Sequence, residues 1–223
     1  MIETIGGIHD AADGTRYLTQ AVLDQSTLDS ICEANTGFLA LVAGRHAACP
    51  GGGAFGLGPA AVAGIAALDF VGRRAAACCP YTLFNLRFED AAFWRGVAID
   101  AARAGSRSLT DEATFARTGV FLAWHLAQSS ELTAALVLGM TAPVHQAWRN
   151  LPLSALDRAA TAALPHLVAR WGGHPRFWPK LLEAAAPVDR ARADSVRLLG
   201  LQLLAAEGIG AEARVADGHP AKR

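Results

Sequence analysis

The chain has 223 residues, 52% of them hydrophobic, with 20 basic and 20 acidic side chains. That length holds one large helical domain or two small ones, each with its own core, and the apolar share excludes a disordered chain. The even charge balance lacks the basic excess of a stand-alone nucleic-acid binder, so any DNA contact would draw much of its phosphate neutralisation from a partner.

Alanine and leucine dominate, tyrosine occurs twice and β-branched residues are sparse. This favours helix over sheet and predicts an all-α fold. In chain order, Gly6 and Gly7 mark a loose lead-in, followed by a short helix over about 11–23. Ser26 suits the N-cap of a long helix running towards His46, with Leu28, Ile31, Cys32, Phe38, Leu39 and Val42 on its apolar side. The run Cys49-Pro50-Gly51-Gly52-Gly53 ends it. A turn at 54–59 leads into a short helix over about 60–67. Asp69 caps another helix that stops near Cys79, because Pro80 cannot continue it. The segment Leu83-Phe84-Asn85-Leu86-Arg87-Phe88 alternates and reads as extended. Glu89 and Asp90 then fall in the first turn of a helix carrying Phe93 and Trp94, where negative charge suits the helix dipole.

Ala104-Gly105-Ser106-Arg107-Ser108 reads as a linker. It divides the chain into a first unit at 8–104 and a second at 110–207, with a disordered polar tail at 208–223. Asp111 and Glu112 suit a helix start, and helices are expected over about 111–128, 130–138, 142–149, 154–170, 175–186 and 188–206. The N-terminus lacks the basic and apolar regions of a signal peptide, and no apolar run reaches the length of a membrane span. The expected location is the cytoplasm, with no membrane contact.

Cys32, Cys49, Cys78 and Cys79 show no CxxC spacing and no paired histidines, which argues against zinc. They read as small buried hydrophobes in a reducing compartment, with a redox switch or an intermolecular disulfide as the alternatives. His125, His145, His166 and His174 fall on different expected helices, with no His-x-x-x-His pair among them. There is no nucleophile elbow, phosphate-loop lysine or dinucleotide fingerprint. No enzyme activity, metal or cofactor is therefore expected.

Features before the linker recur after it in the same order. Phe38-Leu39-Ala40 returns as Phe121-Leu122-Ala123, 83 residues later. At that offset Gly56 meets Gly139, Leu68 meets Leu151, Ala76-Ala77 meets Ala159-Ala160, and Arg87-Phe88 meets Arg170-Trp171. One inserted residue later, Phe93-Trp94 meets Phe177-Trp178. Eight identities in 51 positions are within reach of two alanine-rich helical segments, so the argument rests on order. Two copies are too few for a solenoid. They would suit a dimer fused into one chain, two multi-helix units packed as an intramolecular pseudo-dimer about a shared apolar surface.

The first unit resembles the FlhD-like subunits of the bacterial FlhD–FlhC transcriptional activator. The residues that carry the resemblance are Phe38-Leu39-Ala40-Leu41, Phe55-Gly56-Leu57-Gly58, Ile65-Ala66-Ala67-Leu68 and the stretch from Leu83 to Asp90, which closes in Arg87-Phe88 followed by an acid. Several positions depart from the family pattern. Gly56 stands where a basic or polar residue is usual, and Pro50-Gly51-Gly52-Gly53 replaces a charged helix. Some members link two subunits through a cysteine at the position that is Phe84 here, so that bond is not carried over. In the second unit Leu138 and Thr141 replace the Phe and Gly of the turn. The resemblance implies a helical transcriptional co-activator subunit, forming homo- or hetero-oligomers, that meets DNA together with an FlhC-like partner holding its own zinc. It would serve flagellar or mobile-element genes. The alternative is a helical adaptor or secretion-apparatus accessory protein with no DNA role.

The residues expected to contact DNA or a partner are Phe55, Arg73, Arg74, Arg87, Phe88, Trp148, Arg149 and Arg170. Arginine forks suit phosphate oxygens and acidic partners, and exposed aromatics anchor interfaces. The competing reading is a solvated helix face for the arginines and core packing for Trp94, Trp124, Trp148, Trp171 and Trp178. Among these, Trp148 beside Arg149 and Trp178 beside Pro179 are the ones expected at the surface.

Overall fold

The computed structural model of the chain describes residues 23–99, 110–185 and 190–216. Among the described residues the architecture is all-α, with one short two-stranded pairing. The helix expected over 11–23 lies outside the described residues apart from Leu23, which is buried, and so does the linker at 104–108.

Helix starts follow local capping chemistry. Helix α1 spans Gln25–Ala48, and its cap is Asp24 rather than Ser26: the Asp24 carboxylate accepts from the Thr27 N–H at 2.7 Å. Helix α2, Pro59–Ala67, begins on a proline whose missing N–H costs nothing there. Asp69 caps α3, Phe70–Ala77, by accepting from the Gly72 N–H at 2.7 Å. Strand β1 is only Phe84–Asn85. Asp90 is the cap of α4, Ala91–Ile99, rather than a first-turn residue, because its carboxylate accepts from the Phe93 N–H at 2.9 Å.

In the second half, Thr110 caps α5, Asp111–Ser129. Ser130 both ends α5 and caps α6, Glu131–Leu138, so the chain turns there without a loop. Helix α6 closes on Gly139 in the left-handed region (φ 69°). Helix α7 is Ala142–Arg149 and α8 is Leu156–Ala163.

The single helix expected over 154–170 is not formed. A 3-10 turn at Leu153–Ala155 precedes α8, another at Leu164–His166 follows it, and strand β2 takes Val168–Ala169. Pro165 has no N–H to continue α8, which explains the break. Helix α9 is Phe177–Ala185, and α10 runs Arg190–Ala216. The last helix therefore passes Gly208, where a disordered tail is expected, and takes in the helix-forming run to Ala216.

The two halves interlock. Strand β1 pairs with β2 antiparallel, Phe84 opposite Ala169 and Asn85 opposite Val168. Helix α4, which follows β1, packs on α7 and α8 of the second half. Helix α9, which follows β2, packs on α2 and α3 of the first. Helices α1 and α5 pack against each other, and one continuous hydrophobic cluster runs through both halves. The hydrophobic cluster thus takes in residues from both sides of the expected boundary near 104–110. Among the described residues no helix is long and apolar enough to cross a membrane.

The triplets Phe38-Leu39-Ala40 and Phe121-Leu122-Ala123 do not share an environment. Phe38 and Leu39 are fully buried, whereas Phe121 is 44% exposed and it is Ala123 that is buried. The second triplet is rotated on its helix relative to the first.

Candidate partner-binding surface

The strand pair sits between two backbone reversals 84 residues apart. Arg87 (φ 61°) and Trp171 (φ 52°) both adopt the left-handed region, which costs a non-glycine residue on the order of 1 kcal/mol or more. Each reversal is pinned by an indole. The Trp94 Nε1–H donates to the Arg87 carbonyl at 2.8 Å, and the Trp178 Nε1–H donates to the Arg170 carbonyl at 2.9 Å.

Four of the residues expected at the surface are interior. Phe88 is fully buried with its ring 6.2 Å from Trp148, and Trp148 lies 4.2 Å from Trp94. The exchange of α4 onto α7 encloses these rings, because the first half's aromatics fill space against the second half's. Trp178 is enclosed in the same way, where α9 lies on the first half. Arg87 keeps a half-exposed guanidinium, 3.6 Å from Asp90 and 5.3 Å from the Phe93 ring.

Arg170 is the fourth. It is 3% exposed and cannot reach a phosphate. Its Nη1 donates to the Val137 carbonyl at 3.2 Å and to Thr82 Oγ1 at 3.3 Å, and its Nη2 donates to the Leu138 carbonyl. Those carbonyls end α6, where helical partners run out and a cation meets the negative end of the dipole. Gly139 leaves the room, since a Cβ there would run into the guanidinium. Desolvation pulls the Arg170 pKa down, and Glu207 at 3.6 Å opposes that. Arg170 joins α6, the Thr82 segment and α10, and it acts as a positioning residue of the core.

Phe55 is half-buried in a two-residue turn with Gly56 (φ 51° and 77°), closed by the Ala54–Leu57 bridge. Its ring packs 5.8 Å from Phe38, and its carbonyl accepts from the Ala169 N–H at 2.6 Å. Phe55 therefore ties the turn to β2. Arg149 is exposed on α7, and its carbonyl accepts from Gln128 at 3.3 Å.

The accessible face lies elsewhere. A groove of about 1090 Å³ runs along α1, bounded by the start of α5 and by α3. Arg74 lines it, and Arg73 beside it is half-buried. Phe70, 68% exposed, forms its edge with Val71, 60% exposed, as its neighbour on α3. Gly37, Ala40 and Gly44 leave its floor shallow, and four carboxylates, Asp29, Glu33, Asp111 and Glu112, face the two guanidiniums of Arg45 and Arg74. Arg45 and Glu112 are 3.4 Å apart. Sequence reasoning passed over Phe70. Its signal was the context Leu68-Asp69-Phe70, which recurs 83 residues on as Leu151-Pro152-Leu153; Leu153 is also 60% exposed.

The cysteines are not all inert hydrophobes. Cys32 and Cys78 form a disulfide, Cys49 is exposed, and only Cys79 is a buried free thiol. Among the described residues no three His, Cys, Asp or Glu side chains converge as metal ligands would. No family model, curated protein or solved structure matches this chain.

Proposed function

We propose that this chain is a fused pseudo-dimer of an FlhD-like unit, a transcriptional co-activator subunit that works by presenting surface to an FlhC-like partner rather than by catalysis. The observation that carries this reading is the reciprocal exchange: α4 lies on the second half, α9 on the first, and β1 pairs with β2 between them. Such an exchange is what two obligate dimer subunits leave behind when joined end to end. The position where some FlhD-like subunits carry an inter-subunit cysteine is Phe84, on β1 opposite Ala169, which agrees with a former two-fold contact. The groove edged by Phe70 and Arg74 is then the partner's docking face, and DNA is met through the complex.

The test is co-purification of the full chain with a four-cysteine zinc protein encoded beside it, followed by footprinting on the promoters of that neighbourhood. Expected are weak DNA binding alone and salt-sensitive, sequence-specific binding by the pair. The variants Phe70→Glu and Arg74→Glu should lose the complex without changing the melting temperature. A pair that forms no footprint removes the transcriptional reading.

A second reading, a protein-only adaptor or secretion accessory, is favoured by the acidic excess of the groove and by the exposed Phe70 and Leu153. Pull-downs dominated by secretion components, again sensitive to Phe70→Glu, would select it.

A further inference from the structure

The first half carries a covalent link that the second half does without. The disulfide joins Cys32 on α1 to Cys78, the residue that ends α3; their Cα atoms are 4.6 Å apart and 46 residues separate them in sequence. Eighty-three residues on, the corresponding positions are Phe115 and Thr161, yet α5 still packs closely against α8. The pairing of these helices therefore forms without a bridge.

The first half also has a non-covalent clasp for the same connection. Asn35, one turn beyond Cys32, is fully buried. Its Nδ2 donates to the Ala77 and Tyr81 carbonyls, each at 2.9 Å, and its Oδ1 accepts from the Leu83 N–H at 2.8 Å. With the clasp intact, opening the bridge leaves α3 attached. A link that duplicates a non-covalent clasp and lies beside the groove is suited to reversible use.

We propose that Cys32 and Cys78 are a reversible thiol–disulfide site that locks α3 against α1 and so fixes the groove side chains Phe70 and Arg74. The co-reactant is a small-molecule disulfide of the glutathione class. In oxidation, the Cys78 thiolate attacks the small disulfide and releases one thiol. The Cys32 thiolate then displaces the second, so two protein thiols are oxidised and one disulfide is reduced to two thiols. Cys78 reacts first because it is half-exposed, whereas Cys32 is 8% exposed. Cys79 does not compete. Burial pushes its thiol up to about 11, and it donates to the Ala76 carbonyl.

The experiment uses the full chain carrying Cys49→Ser, to remove the exposed thiol, equilibrated in glutathione buffers of graded potential. Alkylation mass follows the bridge, and hydrogen exchange follows residues 70–78, with 156–163 as the internal reference. Expected is a two-thiol change in alkylation with potential. On reduction, exchange at 70–78 should speed up on the order of tenfold or more, with 156–163 and the far-ultraviolet dichroism unchanged. Cys32→Ser, and separately Cys78→Ser, should match the reduced chain in every buffer. Absence of a potential-dependent mass change, or equal exchange in both states, overturns the proposal. So does loss of the fold on reduction, which would make the bridge a structural staple only. This inference stands without the transcriptional reading, and none of its readouts uses DNA or a partner.

Discussion

Replacing Asn35 by alanine tests how the α3–β1 connection is held. The amide makes three hydrogen bonds of 2.8–2.9 Å in a site closed to water. Truncation leaves the Leu83 N–H and the Ala77 and Tyr81 carbonyls without that partner, at about 1–3 kcal/mol for each buried group that finds no substitute. Allowing for relaxation, the loss is about 3–5 kcal/mol, a large share of the roughly 5–15 kcal/mol that holds a typical domain together. With a urea slope of about 2 kcal/mol per molar, the midpoint falls by about 2 M in denaturation followed by circular dichroism. Asn35→Asp keeps the volume and the acceptor for Leu83, but it turns a charge onto two carbonyls and should cost more. A midpoint shift below about 0.5 M for Asn35→Ala, or an Asn35→Asp protein as stable as the parent, would refute the clasp.

Trp94→Phe and Trp178→Phe each remove one indole bond to a reversal carbonyl, so each should lower stability by about 1–3 kcal/mol. Both should do so within a single unfolding transition, and two separate transitions in calorimetry would show that the halves do not interlock. Arg170→Met should cost about 3 kcal/mol or more in urea titration, because the Leu138 carbonyl loses its donor and the Val137 carbonyl keeps only Thr82. Arg170→Lys should recover only part of this, since a single ammonium cannot span the same fork. Alkaline pH should destabilise the fold. Burial raises the Cys79 thiol from 9.0 to about 11 and raises Tyr81 well above its ordinary 10.0. Both groups ionise more easily when unfolded; the Cys79 stabilisation is complete below about pH 9 and is lost as pH rises towards 11, and the Tyr81 contribution begins to fall only above its ordinary 10.0. The Cys79 part is about 2–3 kcal/mol, and a melting-temperature profile that is no flatter in Cys79→Ala would contradict it.

Local chemistry was legible in the chain itself. The cap at Asp69 and the stop before Pro80 depend on neighbours within a few residues, and the helix boundaries near them agree with expectation. Where local signals competed, the reading slipped. Asp24 took the cap expected of Ser26, and Pro165 broke a helix that its apolar surroundings suggested would continue.

What a side chain faces was another matter. Phe88, Trp148, Trp178 and Arg170 look like surface groups beside their sequence neighbours, and each is enclosed by an element 30 to 90 residues away or by the other half. Phe70, which no local signal singled out, stands exposed. By itself the sequence determined an all-helical chain, because capping, turns and apolar periodicity act over one or two helical turns. Only the tertiary structure decided that α4 and α9 cross between halves, and with that crossing which aromatics and cations are buried, because burial is set by whichever distant segment arrives to cover them.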